Sequence, residues 1–248
     1  MPRYITDITD TPPVGSFPPA DTANDELNGL VAIGGDWHPN RILDAYGAGI
    51  FPWPMGDMPL GWFCPPERMV FRTDSQPLGR RFRKSLQSSK WTVTADSRFS
   101  GVLRQCADIE RPGQDGTWIE PEMRTSYEVL HALGHTHSIE IFDAQGQLIG
   151  GLFGVFSNGI FCGDSMFSAQ PGASRVAFAH LLRFLHEHQV PWVDGQVPND
   201  YLISLGGISM PREEFLKLRT DAGAEHPLNR RNWAKLFGTR TAQALCSA

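Results

Sequence analysis

Apolar and polar residues follow two clear periods in the second half of the chain. Residues 138–142 alternate as a half-buried strand does, and 148–157 form a longer, almost wholly apolar strand. Asn158-Gly159 supplies the residues of a tight hairpin turn, so 160–166 reads as the returning strand. A period near 3.6 then takes over: Val176, Phe178, Ala179, Leu181, Leu182 and Leu185 predict a helix over 174–188. A strand is expected over 192–197 and a short helix from 199 to 205.

The first half is less regular. Residues 1–26 are rich in Pro, Thr and Asp and read as an irregular arm. The apolar run 29–35 is broken by glycines, and residues 36–40 can cap a helix over 41–48. Between Pro52 and Pro66 lie five prolines and three Trp or Phe residues. Proline offers no N–H to a ladder, so this stretch is expected to be an ordered loop packed by its aromatics. Beyond it, 67–71 reads as a strand, 78–85 as a short basic helix, 91–94 as a strand and 99–107 as a helix. Residues 111–116 are turn-rich, and 120–133 form a helix closed by Gly134. The order helix, three antiparallel strands, helix, strand, helix predicts an α+β fold with a mixed sheet. The length fits one large domain, or one full domain with a smaller partner.

Composition narrows the function classes. The 248 residues are 41% hydrophobic and 20% charged, enough to bury a sizeable core. The net charge of −5 does not announce nucleic-acid binding, so any RNA contact rests on a local basic patch. Four scattered cysteines with no C-x-x-C pair argue against a disulfide framework or a zinc site. No secretory leader and no run of about 20 apolar residues is visible, which predicts a cytoplasmic protein.

Several segments could carry chemistry. Asp194 and Gln196 stand at i and i+2 on the strand 192–197, which places a carboxylate and a carboxamide on one face, with Gly195 between them. The pair suits accepting a proton and orienting a second group, or is simply a polar strand face. In 161–168, strict alternation puts Cys162, Asp164 and Met166 on one face and Gly163, Ser165 and Phe167 on the other. An acid among apolar neighbours needs a partner: a ligand hydroxyl or amine, or a nearby backbone or arginine group. Arg80, Arg81, Arg83 and Lys84 form a basic run that either holds phosphates or lines a solvated helix face. His131, His135 and His137 have partly metal-like spacing, but Gly134 interrupts their helix and no metal site is expected. Trp53, Trp62, Phe63 and Trp118 lie in irregular segments and could stack on bases or close a small core.

Seven phrases in order then resemble one family. They are 29–36 (GLVAIGGD), 46–53 (YGAGIFPW), 116–119 (GTWI), 131–140 (HALGHTHSIE), 150–155 (GGLFGV), 161–168 (FCGDSMFS) and 193–199 (VDGQVPN). Together they resemble the leucyl/phenylalanyl-tRNA–protein transferases. The resemblance implies a small N-terminal domain, 1–72, on an N-acetyltransferase-like catalytic domain, 73–248, no cofactor, and transfer of Leu or Phe from aminoacyl-tRNA to an N-terminal Arg or Lys, which creates an N-degron. It implies that Asp194 and Gln196 are the catalytic pair and that Trp53 and Trp118 hold the 3′-terminal adenosine. Leu152 and Met166 would line the donor pocket, with Tyr127 and Asp164 near the reacting groups. Arg80, Arg81, Arg83 and Lys84 would touch the tRNA acceptor stem.

The chain departs from the family twice, with Asp164 in place of Glu and Leu152 in place of Met. Leu is branched and less adaptable than Met, so the pocket is expected to discriminate differently between Leu, Met and Phe donors. An acetyl-CoA-dependent acetyltransferase would share the fold, but 170–175 (QPGASR) does not fit its glycine-rich loop. A non-catalytic RNA-binding module would use only the tryptophans and the basic run.

Overall fold

The computed structural model describes residues 5–75, 77–109, 117, 119–223 and 226–246. In chain order its strands are β1 (Thr6–Asp7), β2 (Leu30–Ile33), β3 (Phe51–Met55), β4 (Met58–Phe63), β5 (Glu67–Arg72), β6 (Thr92–Ala95), β7 (Thr136–Phe142), β8 (Leu148–Ser157), β9 (Ile160–Ser168), β10 (Trp192–Gln196), β11 (Ile208–Pro211) and β12 (Arg240–Thr241). The helices are α1 (Pro39–Gly47), α2 (Arg80–Ser85), α3 (Phe99–Asp108), α4 (Pro121–Ala132), α5 (Ala173–Glu187), α6 (Asp200–Ser204), α7 (Arg212–Ala222) and α8 (Trp233–Phe237).

Two sheets result. The small one runs β1-β2-β4-β3, and the large one runs β11-β5-β10-β9-β8-β7-β6-β12. Among the described pairs of the large sheet only β10 and β9 are parallel, so the sheet is mixed as the element order predicted. The strand β5 hydrogen-bonds into the large sheet, between β11 and β10.

The proline-rich stretch 52–66 is a hairpin, β3–β4, and not the expected loop. Pro52 pairs with Trp62, and Pro54 falls where the register shifts between Trp53 and Met55. Edge strands and bulges are where a sheet tolerates proline, and β3 is an edge strand. The Asn158-Gly159 turn forms as read, with φ of 51° and 70°.

The large sheet is covered on both faces. On one face α5 buries Val176, Phe178, Leu181, Leu182 and Leu185. It approaches closely because a Cβ on Gly150 of β8 would lie 2.4 Å from that of Ala173. The C-terminal segment closes this face: β12 pairs with β6, and Trp233 is buried among Phe156, Phe161 and Phe184. On the other face α3, α4 and α1 pack over Phe153, Val155 and Phe167. Each fully buried side chain of this kind contributes roughly 1.5–3 kcal/mol.

Candidate active site

The site opens where two neighbouring strands part. β9 and β10 pair in parallel only at Phe161–Val193 and Cys162–Asp194. Just beyond that point each strand carries an irregularity. Along β9 the register with β8 shifts between Phe153 and Gly154, so Asp164 falls in a bulge. Along β10 the register with β5 shifts between Asp194 and Gln196. Bulges re-aim side chains, and these two turn Asp164 and Gln196 toward each other. The strict alternation expected for 161–168 therefore fails. Cys162 and Phe167 share one core layer, while Phe161 packs in the other with Met166 against it.

Asp194 is fully buried and doubly engaged. Arg68 of β5 donates Nε to Oδ1 at 2.8 Å and Nη2 to Oδ2 at 2.7 Å. The Arg68 guanidinium also donates Nη1 to the Gly49 carbonyl at 3.1 Å. It is held between the rings of Phe51 and Phe215, at 4.8 and 4.4 Å. Burial pushes the Asp194 carboxyl pKa up, but the charge and hydrogen bonds of Arg68 outweigh it and hold it below the usual range. Asp194 Oδ1 also accepts the backbone N–H of Gln196 at 2.8 Å. That bond supports Gln196 in the left-handed region, at φ 63°. The i, i+2 spacing thus does join the two residues, through an Asx-type turn and not a flat strand face.

From this backbone Gln196 donates Nε2 to Asp164 Oδ1 at 2.8 Å. The same oxygen accepts the Tyr46 hydroxyl at 2.5 Å, and the Tyr46 and Tyr127 hydroxyls lie 3.0 Å apart. Asp164 Oδ2 is buried and meets no donor. Burial raises the Asp164 pKa to about 7, against the downward pull of Tyr46, Gln196 and, more weakly, Tyr127. A carboxyl at that value can exchange a proton at neutral pH. Tyr46 sits at the end of α1, where Arg219 of α7 donates Nη2 to its carbonyl and also to the Gly47 carbonyl.

Beside these groups lies a cavity of about 250 Å³. Its inner walls are Phe71, Leu152, Phe161, Phe178, Leu181 and Val193, and its polar rim is Asp164, Gln196, Asn199 and Tyr201. Leu152 and Met166 stand directly opposite each other on β8 and β9, and both line it. Trp53 of β3 lines it from the small sheet and is partly buried. Asp194 also reaches the wall, while Tyr127 does not line it and acts on the site through both Tyr46 and Asp164.

Trp118 lies outside the described residues. Arg80, Arg81, Arg83 and Lys84 do form the basic helix α2, which stands apart from the cavity wall. His131 Nδ1 lies 2.8 Å from the Thr136 carbonyl and 4.0 Å from Asp96 Oδ1, and His137 Nδ1 lies 2.8 Å from Asp96 Oδ2, with His137 stacked on Trp233. Sequence reasoning missed Arg68, Tyr46 and Arg219. The one available signal for Arg68 was its place beside the apolar run Met69-Val70-Phe71, inside the charged ends Glu67 and Arg72 of the same strand.

Comparison with known proteins decides the family. A family model described as leucyl/phenylalanyl-tRNA protein transferase matches residues 70–220, and the model for its N-terminal domain matches 35–66. A leucyl/phenylalanyl-tRNA–protein transferase of Xanthomonas axonopodis pv. citri (strain 306) is 46% identical over 248 residues, covering 100% of this chain and 99% of the relative. The chain belongs to the leucyl/phenylalanyl-tRNA–protein transferase family.

A further member, from Xylella fastidiosa (strain M23), is 46% identical over 99% of this chain and 98% of its own. Among solved structures, that of L-PGS from Bacillus licheniformis overlaps 65% of this chain and 66% of its own, with 12% identity and a TM-score of 0.42. Membership of the transferase family makes this chain an aminoacyltransferase. Among the described residues, no helix is long and apolar enough to cross a membrane.

Proposed function

We propose that this enzyme moves Leu or Phe, and also Met, from aminoacyl-tRNA to the N-terminal Arg or Lys of acceptor proteins in the cytoplasm. The product is a peptide bond and an N-degron. No metal or nucleotide cofactor enters the scheme. The observation that carries the reading is a single cavity with an apolar interior and a rim centred on Asp164 and Gln196. The interior suits an apolar donor side chain, and the rim suits the ester carbonyl and the incoming amine. Trp53 at the wall, together with Trp118, would hold the terminal adenosine, and helix α2 would meet the acceptor stem.

In this scheme the acceptor's neutral α-amine attacks the ester carbonyl. A C–N bond forms, the C–O bond to the ribose breaks, and the ribose hydroxyl leaves. An α-amino group titrates at about 7.7–8.0, so position matters more than base strength. Asp164 Oδ2 accepts the amine's proton and returns it to the departing ribose oxygen. Gln196 orients Asp164 and the substrate carbonyl. Asp194, held by Arg68, acts as an anchor and not as the base.

The test is transfer from charged tRNA to a peptide with N-terminal Arg, with Leu-, Met-, Phe- and Val-tRNA in parallel. The first three are expected to serve as donors. Efficient use of Val-tRNA, or of peptides lacking N-terminal Arg or Lys, would sink the specificity assigned above.

A further inference from the structure

A groove adjoins the cavity and shares Tyr201 with it. Tyr201 is 42% exposed, although its hydroxyl lies 3.8 Å from Met166 Sδ and 3.4 Å from Ser174 Oγ. The Arg175 guanidinium stands 5.7 Å from the centre of its ring. The far wall is Phe82 of the basic helix α2. Its ring rests on Gly172, where an added Cβ would lie 2.3 Å from the ring edge. The groove therefore runs from the cavity mouth to the foot of α2, where Arg80, Arg81 and Lys84 are exposed. None of the described residues lining it is acidic.

Its anion-binding capacity lies in a side chain and not in the start of α5. The Ala173 amide donates to the Gln170 carbonyl, and the Ser174 amide to Ser168 Oγ. Arg175 makes no ion pair with any described residue. A flat apolar channel with one exposed aromatic and one arginine suits a stacked base and its phosphodiester.

We infer that this groove binds the nucleotide immediately 5′ to the aminoacylated adenosine of the donor tRNA. The base stacks in the channel between Tyr201 and Phe82, and Arg175 holds its phosphate. The inference rests on the reading of aminoacyl-tRNA as donor. With the aminoacyl ester at the cavity mouth, the polynucleotide must leave toward positive charge. The groove leads from that mouth to the basic helix.

The experiment compares two donors carrying the same amino acid, aminoacyl-adenosine and aminoacyl-cytidylyl-cytidylyl-adenosine. It reads kcat/KM for transfer to one peptide in the parent enzyme and in the Arg175→Gln, Tyr201→Leu and Tyr201→Phe variants. The parent should prefer the trinucleotide donor by about tenfold, the scale of one stacked base. That preference should shrink toward unity in Arg175→Gln and Tyr201→Leu and persist in Tyr201→Phe, which keeps the ring. Arg175→Gln should also lower the salt slope of trinucleotide binding by about 0.7, one single-strand phosphate contact. Equal use of both donors by the parent overturns the inference. So does a proportional loss with both donors in the variants, since Tyr201 would then act only through the aminoacyl cavity. Failure of the parent with every donor, whole charged tRNA included, sinks the donor reading itself.

Discussion

Arg68 and Asp194 form a bidentate ion pair with both side chains withdrawn from water, 1% and 0% exposed. Breaking such a pair on one side costs about 3–5 kcal/mol, because the other charge stays buried, whereas replacing both partners can be nearly neutral. Arg68→Met and Asp194→Leu are each expected to lower unfolding stability on that scale. The double variant should recover much of the loss. It should not recover transfer, because the Gln196 amide has then lost its acceptor, Asp194 Oδ1. Denaturant unfolding beside single-turnover transfer checks this. A double variant with parental transfer would show that the ion pair does not position the site.

Gln196 stands at φ 63°, where a residue with a Cβ is held at a cost of about 1–2 kcal/mol. Gln196→Gly relieves that strain and removes the carboxamide. We expect stability equal to or above the parent, with single-turnover transfer lower by about two orders of magnitude. Gln196→Asn accepts the same backbone but falls one methylene short of Asp164, and should be intermediate. Donor affinity measured by direct binding keeps the two effects apart. Parental turnover in Gln196→Gly would remove the carboxamide from the chemistry.

Much of the fold was legible because it is local. The alternation of β7, the apolar run of β8, the Asn158-Gly159 turn and the apolar stripe of α5 are each written within about 20 residues. The site was legible only as a set of phrases. Its geometry depends on two bulges, at Asp164 and Gln196, that no periodicity announces. Its electrostatics depend on Arg68, 126 positions from Asp194 in sequence, and on Tyr46, 118 positions from Asp164. The prolines of β3 misled because the rule against proline in strands assumes two neighbours, and β3 has one. The C-terminal strand and helix, β12 and α8, are too short to carry a period of their own.

Asp164 gives the enzyme a pH signature. Its pKa is about 7 in the fold and near 3.8 in the unfolded chain, so folding takes up a proton between those values. Stability therefore falls as pH rises from about 4 to about 7, and the loss is complete above that range. Asp164→Asn should abolish this dependence and be more stable than the parent at pH 8, by about 2–4 kcal/mol. Transfer by the parent requires both a deprotonated Asp164 and a neutral amine. Below pH 7 its log rate should rise with a slope approaching two, and in Asp164→Asn the residual rate should rise with a slope of one. A slope of one in the parent would remove Asp164 as proton acceptor.

Leu152 faces Met166 across β8 and β9 and is 2% exposed. Leu152→Ala should cost about 2–5 kcal/mol of stability, the range for a large-to-small change in a packed wall. It should also deepen the donor pocket beside Met166. The extra space favours a ring over a branched aliphatic chain, and one or two methylene volumes are worth about 1–3 kcal/mol of discrimination. The ratio of kcat/KM for Phe-tRNA over Leu-tRNA should then rise by about tenfold, while Leu152→Met leaves it within a few-fold of the parent. The measurement is the pair of donors in one competition, so that differences in tRNA charging cancel. An unchanged ratio in Leu152→Ala would mean that the donor side chain does not reach this wall, and that its limit is set deeper, at Phe71 and Phe178, whose rings meet edge to face at 4.7 Å.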